Sequence, residues 1–185
     1  MKKAEYLEML ENYKQHLDAQ DKKGSTGSIG KLYEEIVRRV LVPKHENADL
    51  KVGARSNKYV DATVHGIRYE IKTGSGAVRY AVDMYGEAFT ADDCTAENIL
   101  PDADMVAWAP FPKFINEQNY KDMFWMFTRD QFVACLETIG KNGLKSSLKL
   151  SKGGYQINIQ TITPRMEDRL WDILDTMPTL KDYCK

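Results

Sequence analysis

The sequence is short of the features that mark a disulfide-stapled, zinc-binding or membrane protein. Its three cysteines, Cys94, Cys135 and Cys184, are odd in number and scattered through 185 residues. They supply neither a disulfide framework nor a C-x-x-C metal knuckle. The three histidines, His16, His45 and His65, stand apart from one another and from any cysteine at ligand spacing, which argues against zinc. No apolar run nears the ~18 residues of a membrane span. The opening MKKAEYLEMLENYK carries acids where the apolar stretch of a secretory signal would lie. A cytoplasmic protein without a membrane partner is expected. Excess charge of one sign is missing too: 26 Lys and Arg stand against 27 Asp and Glu, a net of −1. That balance excludes a chain that holds nucleic acid mainly by bulk positive charge.

What is present is an ordinary globular composition, 43% hydrophobic and 29% charged, long enough to bury a core as a single domain over 1–185. Tyr6, Leu10, Tyr13 and Leu17 form a narrow helical stripe, so 1–23 reads as a helical appendage. A Gly/Ser loop follows. Then Ile29, Leu32, Tyr33, Ile36, Val37 and Val40 make a broad helical face with Ser28 as N-cap, and Pro43 limits the helix. In YVDATVHGIRYEIK the period changes to two, predicting two strands joined at His65-Gly66. MVAWAPF (105–111) and MFWMFT (123–128) read as buried strands, with Trp108 and Trp125 in the core. DQFVACLETIG (130–140) reads as a helix, a hairpin turns around Gly153-Gly154, and 164–177 is a last helix begun by Pro164 and burying Trp171. The expected class is α+β, with 28–140 as the core and 141–185 as a hairpin-plus-helix extension.

The informative residues lie on the hairpin. With a two-residue loop, Val64 pairs with Ile67, Thr63 faces Arg68, Ala62 faces Tyr69, and Asp61 falls opposite Glu70. Alternation sets Arg68, Glu70 and Lys72 on one face and Ile67, Tyr69 and Ile71 on the other. Two carboxylates facing one another in a sheet repel, and folding alone does not call for them. A divalent cation between them relieves the repulsion, and hard oxygen donors suit Mg²⁺ or Mn²⁺. A neighbouring amine, Lys72, is placed to orient or deprotonate a water. The same residues on a solvated strand face are the alternative.

Asp61, an eight-residue gap across a hairpin, and Glu70-Ile71-Lys72, preceded by GKLYEEIVRRVL (30–41), resemble the PD-(D/E)xK nuclease superfamily. The resemblance covers about residues 28–140; residue 60 is Val where many members carry Pro. It implies a restriction-endonuclease-like core, a mixed central sheet flanked by helices, and metal-dependent hydrolysis of phosphodiester bonds, with DNA favoured over RNA. Asp61, Glu70, the Ile71 carbonyl and a helix glutamate would hold Mg²⁺ or Mn²⁺. Glu34 suits that last role better than Glu35, since it borders the apolar face through Val37. Lys72 would activate water. A homodimer would allow both strands of a duplex to be cut. A silent module on the same fold, binding nucleic acid or inhibiting a nucleic-acid-processing complex as phage-borne proteins can, is the alternative.

Other signals fall away. GSTGSIGK (24–31) lacks the first glycine and the Ser/Thr of a phosphate-binding loop. Local charge says more than its sum. Residues 80–112 hold seven acids and no Lys or Arg, whereas 138–164 hold four lysines and no acid. Lys51, Arg55 and Lys58 precede the hairpin, and with Lys141, Lys145 and Lys149 they are the candidates for tracking a phosphate backbone.

Overall fold

A computed structural model describes residues 4, 8, 37, 40–41, 51–52, 60–73, 95–111, 115–116, 118–139, 148–151, 154–157 and 164–183. Alternating apolar residues around His65-Gly66 produce the hairpin, strands β2 (Ala62–Val64) and β3 (Ile67–Thr73), paired Ala62 to Tyr69, Thr63 to Arg68 and Val64 to Ile67. Both loop residues have positive φ, 51° at His65 and 81° at Gly66. That is the loop whose twist matches the flanking strands. A two-residue strand β1 (Lys51–Val52) pairs with β2. The apolar runs become β4 (Met105–Ala109) and β5 (Trp125–Thr128).

The sheet runs in the order β1-β2-β3-β4-β5. It is mixed: β3 and β4 are parallel, and every other pair is antiparallel. A parallel pair needs a crossover, so residues 74–104 carry the chain from one end of β3 back to the start of β4. Register fixes what shares a face. Glu70 lies beside Val106 and Phe127, and Lys72 beside Trp108 and Trp125.

Two helices cover that face. Helix α1 (Arg129–Ile139) begins with a reciprocal cap: Gln131 N–H donates to Thr128 Oγ1 (3.2 Å), and Thr128 N–H to Gln131 Oε1 (2.9 Å). Its Phe132 ring packs edge-on to Trp108 (5.4 Å between centroids) and Phe127 (5.8 Å). Helix α2 (Pro164–Leu174) sets Trp171 edge-on to Trp125 at 5.9 Å and parallel to Phe111 at 5.2 Å. Such pairs each contribute about 0.5–1.5 kcal/mol beyond their buried area. All three tryptophans are core residues, as expected. Helix α2 stops three residues short of the expected end, because Thr176 Oγ1 donates to the Ile173 carbonyl (2.7 Å) and Pro178 follows.

The chain then returns to the sheet. Met126 N–H donates to Pro178 O and Leu180 N–H to Phe124 O, both at 2.8 Å, so residues 178–180 line the outer edge of β5. An edge strand is thereby covered, a use of the C-terminal segment that periodicity did not reveal. Strands β6 (Leu148–Ser151) and β7 (Gly154–Ile157) form a separate hairpin. Ser151 pairs with Gly154, so the two residues between the strands are Lys152 and Gly153, one position earlier than expected. Val37, Val40 and Leu41 are helical, with Val37 and Leu41 buried in the same core cluster as the sheet. Ala4 and Glu8 are helical as well; the rest of 1–23 lies outside the described residues. Among the described residues no helix is long and apolar enough to cross a membrane.

Candidate functional site

Strand β3 carries the site because its alternation breaks a rule. Positions 69 and 71 bury apolar side chains on one face, yet Glu70, pointing the other way, is buried as well, with a side chain only 10% exposed. The cause is the parallel neighbour: Val106 beside it has no exposed surface, and the layer of α1 lies over that face. Among the described residues Glu70 and Thr179 are the buried polar ones. A buried carboxylate is costly unless it is paired.

Lys72, next on the same face, supplies the pairing. Its ammonium bonds Glu70 Oε1 and lies 3.7 Å from Asp61 Oδ2. Side-chain exposures of 18% for Lys72 and 23% for Asp61 put the group at the margin of the helix-covered layer, open to solvent on one side. Two carboxylates and one amine thus converge.

Asp61 does not face Glu70 as a ladder partner, however. Its N–H donates to Tyr69 O (3.0 Å), although Tyr69 is already the partner of Ala62. Two residues of the first strand address one of the second, the arrangement of a β-bulge. In an unbroken ladder the Ile71 N–H would reach the carbonyl of residue 60. Here it donates to Asp61 Oδ2 at 2.8 Å. The hairpin count fixed the register through Ala62 and missed the bulge, because a bulge leaves no trace in polar/apolar alternation.

The donor chemistry suits a hard divalent cation. Asp61 and Glu70 present carboxylate oxygens to one point, where a cationic group already sits. The Ile71 carbonyl leaves the same edge of β3 as its N–H, which faces Asp61, and is a candidate for a further donor. Among the described residues no three His, Cys, Asp or Glu side chains gather as a metal group. Glu34 and Glu35 lie outside the described residues, as do Arg55, Lys58, Lys141 and Lys145. Lys51 stands in β1 opposite Thr63, on the strand next to the hairpin, and Lys149 stands in β6 opposite Gln156.

One ion pair near the site was not legible in the sequence. Asp104, within the acidic stretch, grips Arg68 through Oδ1 (2.8 Å) and Oδ2 (3.0 Å), and Oδ2 also accepts the Arg68 N–H at 2.8 Å. Asp104 N–H returns a bond to Arg68 O at 2.9 Å. The pair pins the start of β4 to β3 and so sets the parallel register beside Glu70. The Arg68 hydrogen bonds hold the Asp104 carboxyl below its ordinary value. Arg129 ties the preceding loop down, donating to Ile99 O at 2.9 Å and to Ala96 O. Cys135 is no nucleophile: burial pushes its thiol up to about 12.

Comparison with protein-family models, characterised proteins and solved structures finds no match to this chain. Its function is therefore argued from the site.

Proposed function

We propose that the protein is a metal-dependent nuclease of the restriction-endonuclease-like type, hydrolysing phosphodiester bonds of nucleic acid, with DNA as the first substrate. The observation that carries this reading is the meeting of Asp61, buried Glu70 and Lys72 at one point on the helix-covered face. A phosphodiester-cleaving centre needs two acids and an amine brought to one point in this way.

In this reading Asp61, Glu70 and the Ile71 carbonyl hold Mg²⁺ or Mn²⁺, with Glu34 as a further ligand. The bound ion supplies Lewis-acid stabilisation of the charge that develops on the phosphoryl oxygens. Lys72 would act as the neutral amine, the form favoured by the positive charge of an ion held beside it. It would hold the attacking water and take up its proton as oxygen bonds to phosphorus, while the ester oxygen leaves on the far side and is protonated from solvent. Glu70 keeps the Lys72 amine aimed, through their shared hydrogen bond. Lys51, Arg55, Lys58, Lys141, Lys145 and Lys149 track the phosphate backbone by local charge, which the neutral whole permits. A homodimer would bring a second site to the opposite strand.

Incubation with duplex DNA, single-stranded DNA and RNA in Mg²⁺ or Mn²⁺, against an EDTA control, tests the proposal. Cleavage that needs the metal and is lost in Glu70→Gln is expected. Salt-sensitive binding without cleavage, needing no metal and surviving Glu70→Gln, would instead identify a silent nucleic-acid-binding module.

A further inference from the structure

We infer that Asp61 is a positioning residue for the catalytic strand, bracketing Glu70 from both sides. Its backbone N–H holds the Tyr69 carbonyl at 3.0 Å, and its side-chain Oδ2 holds the Ile71 N–H at 2.8 Å. These two contacts fall on the residues before and after Glu70, so the peptides on each side of that carboxylate are tied to one residue of the neighbouring strand. The bulge makes this possible. An extra residue on the first strand turns the Asp61 side chain back toward β3, where it takes the place of a ladder carbonyl. A carboxylate accepting a backbone N–H makes a stronger bond than a neutral carbonyl does.

The same oxygen lies 3.7 Å from Lys72 Nζ, so one atom couples the backbone between Glu70 and Lys72 to the amine itself. Alternation places Glu70 and Lys72 on one face, but it does not fix the twist of the peptides between them. Asp61 fixes that twist. The backbone part stands on geometry alone. Its effect on a bound cation rests on the reading of Asp61, Glu70 and Lys72 as a metal site.

Charge and positioning separate in two variants of the full-length protein. Asp61→Asn keeps an oxygen acceptor for Ile71 and removes the charge, whereas Asp61→Ala removes both. The Ile71 amide is followed by hydrogen exchange, and Mn²⁺ affinity by electron paramagnetic resonance of the free ion. In Asp61→Ala, Ile71 should exchange about tenfold faster than in Asp61→Asn, with amides of α1 unchanged in both. Mn²⁺ should bind both variants more weakly than the wild type, since each has lost a carboxylate ligand; this arm reads the metal site, and Ile71 exchange reads the positioning role. Should Asp61→Ala not fold, Asp61→Ser, whose hydroxyl stops one atom short of the carboxylate oxygens, replaces it. Equal Ile71 exchange in the two variants overturns the inference. Failure of the wild type to bind Mn²⁺ overturns the metal-site reading instead and leaves the exchange comparison to decide the positioning role.

Discussion

Glu70 and Lys72, two positions apart on β3, meet over one face of the sheet, the Lys72 ammonium bonded to Glu70 Oε1. The carboxylate lies beside fully buried Val106, so its partner matters more than that of a surface acid. Lys72→Met should lower stability by about 1–3 kcal/mol in chemical denaturation. The double variant Glu70→Gln/Lys72→Met should cost less than the sum of its two single changes, because the buried carboxylate and the ammonium bonded to it are then removed together.

The hairpin loop makes a second prediction. Gly66 holds φ 81° and an added Cβ would meet nothing within 4 Å, so Gly66→Ala is a backbone change alone. It should destabilise by about 1 kcal/mol. His65, at φ 51°, carries part of the same strain. His65→Asn should raise the thermal midpoint, by about 0.5 kcal/mol of stability, since Asn tolerates that backbone region.

Thr128 and Gln131 cap α1 reciprocally, and α1 supplies Phe132 to the aromatic layer over the site. Thr128→Ala should cost about 1 kcal/mol in equilibrium unfolding. Thr128→Ser, which keeps the hydroxyl, should recover most of it.

The Arg68–Asp104 pair sets a pH dependence. The Asp104 carboxyl titrates below its ordinary value of 3.8 because Arg68 bonds its charged form. A depressed carboxyl contributes stability that is present above the unfolded value and is lost as pH falls through the folded one. Asp104→Asn should therefore flatten the loss of stability below about pH 4 and leave a deficit at neutral pH. The side chains are 44% and 42% exposed, so the deficit should stay under about 1 kcal/mol.

Local chemistry made much of this legible. The two-residue loop fixed the register of β2 and β3, and register plus alternation placed Glu70 and Lys72 together. The run of Trp108, Trp125 and Phe127 read as core because apolar runs of that length have nowhere else to go. What escaped has a common cause. The bulge at Asp61, the grip of Asp104 on Arg68 and the return of residues 178–180 to β5 are set by polar backbone groups or by pairings distant in sequence. Apolar periodicity is blind to both. The T-x-x-Q cap of α1 is different: the spacing from Thr128 to Gln131 stands in the sequence, overshadowed by Asp130 as the apparent opening acid.

In the proposed reaction Lys72 works on the water that attacks a nucleic-acid phosphate, beside the ion that Asp61 and Glu70 would hold. The most direct measurement is the rate at which the wild type and Lys72→Met nick a supercoiled plasmid in saturating Mg²⁺, at a temperature where both are folded. The account predicts metal-dependent nicking by the wild type and a fall of about 10²-fold or more in Lys72→Met. Equal rates in the two proteins, or nicking by the wild type that persists in EDTA, would contradict it.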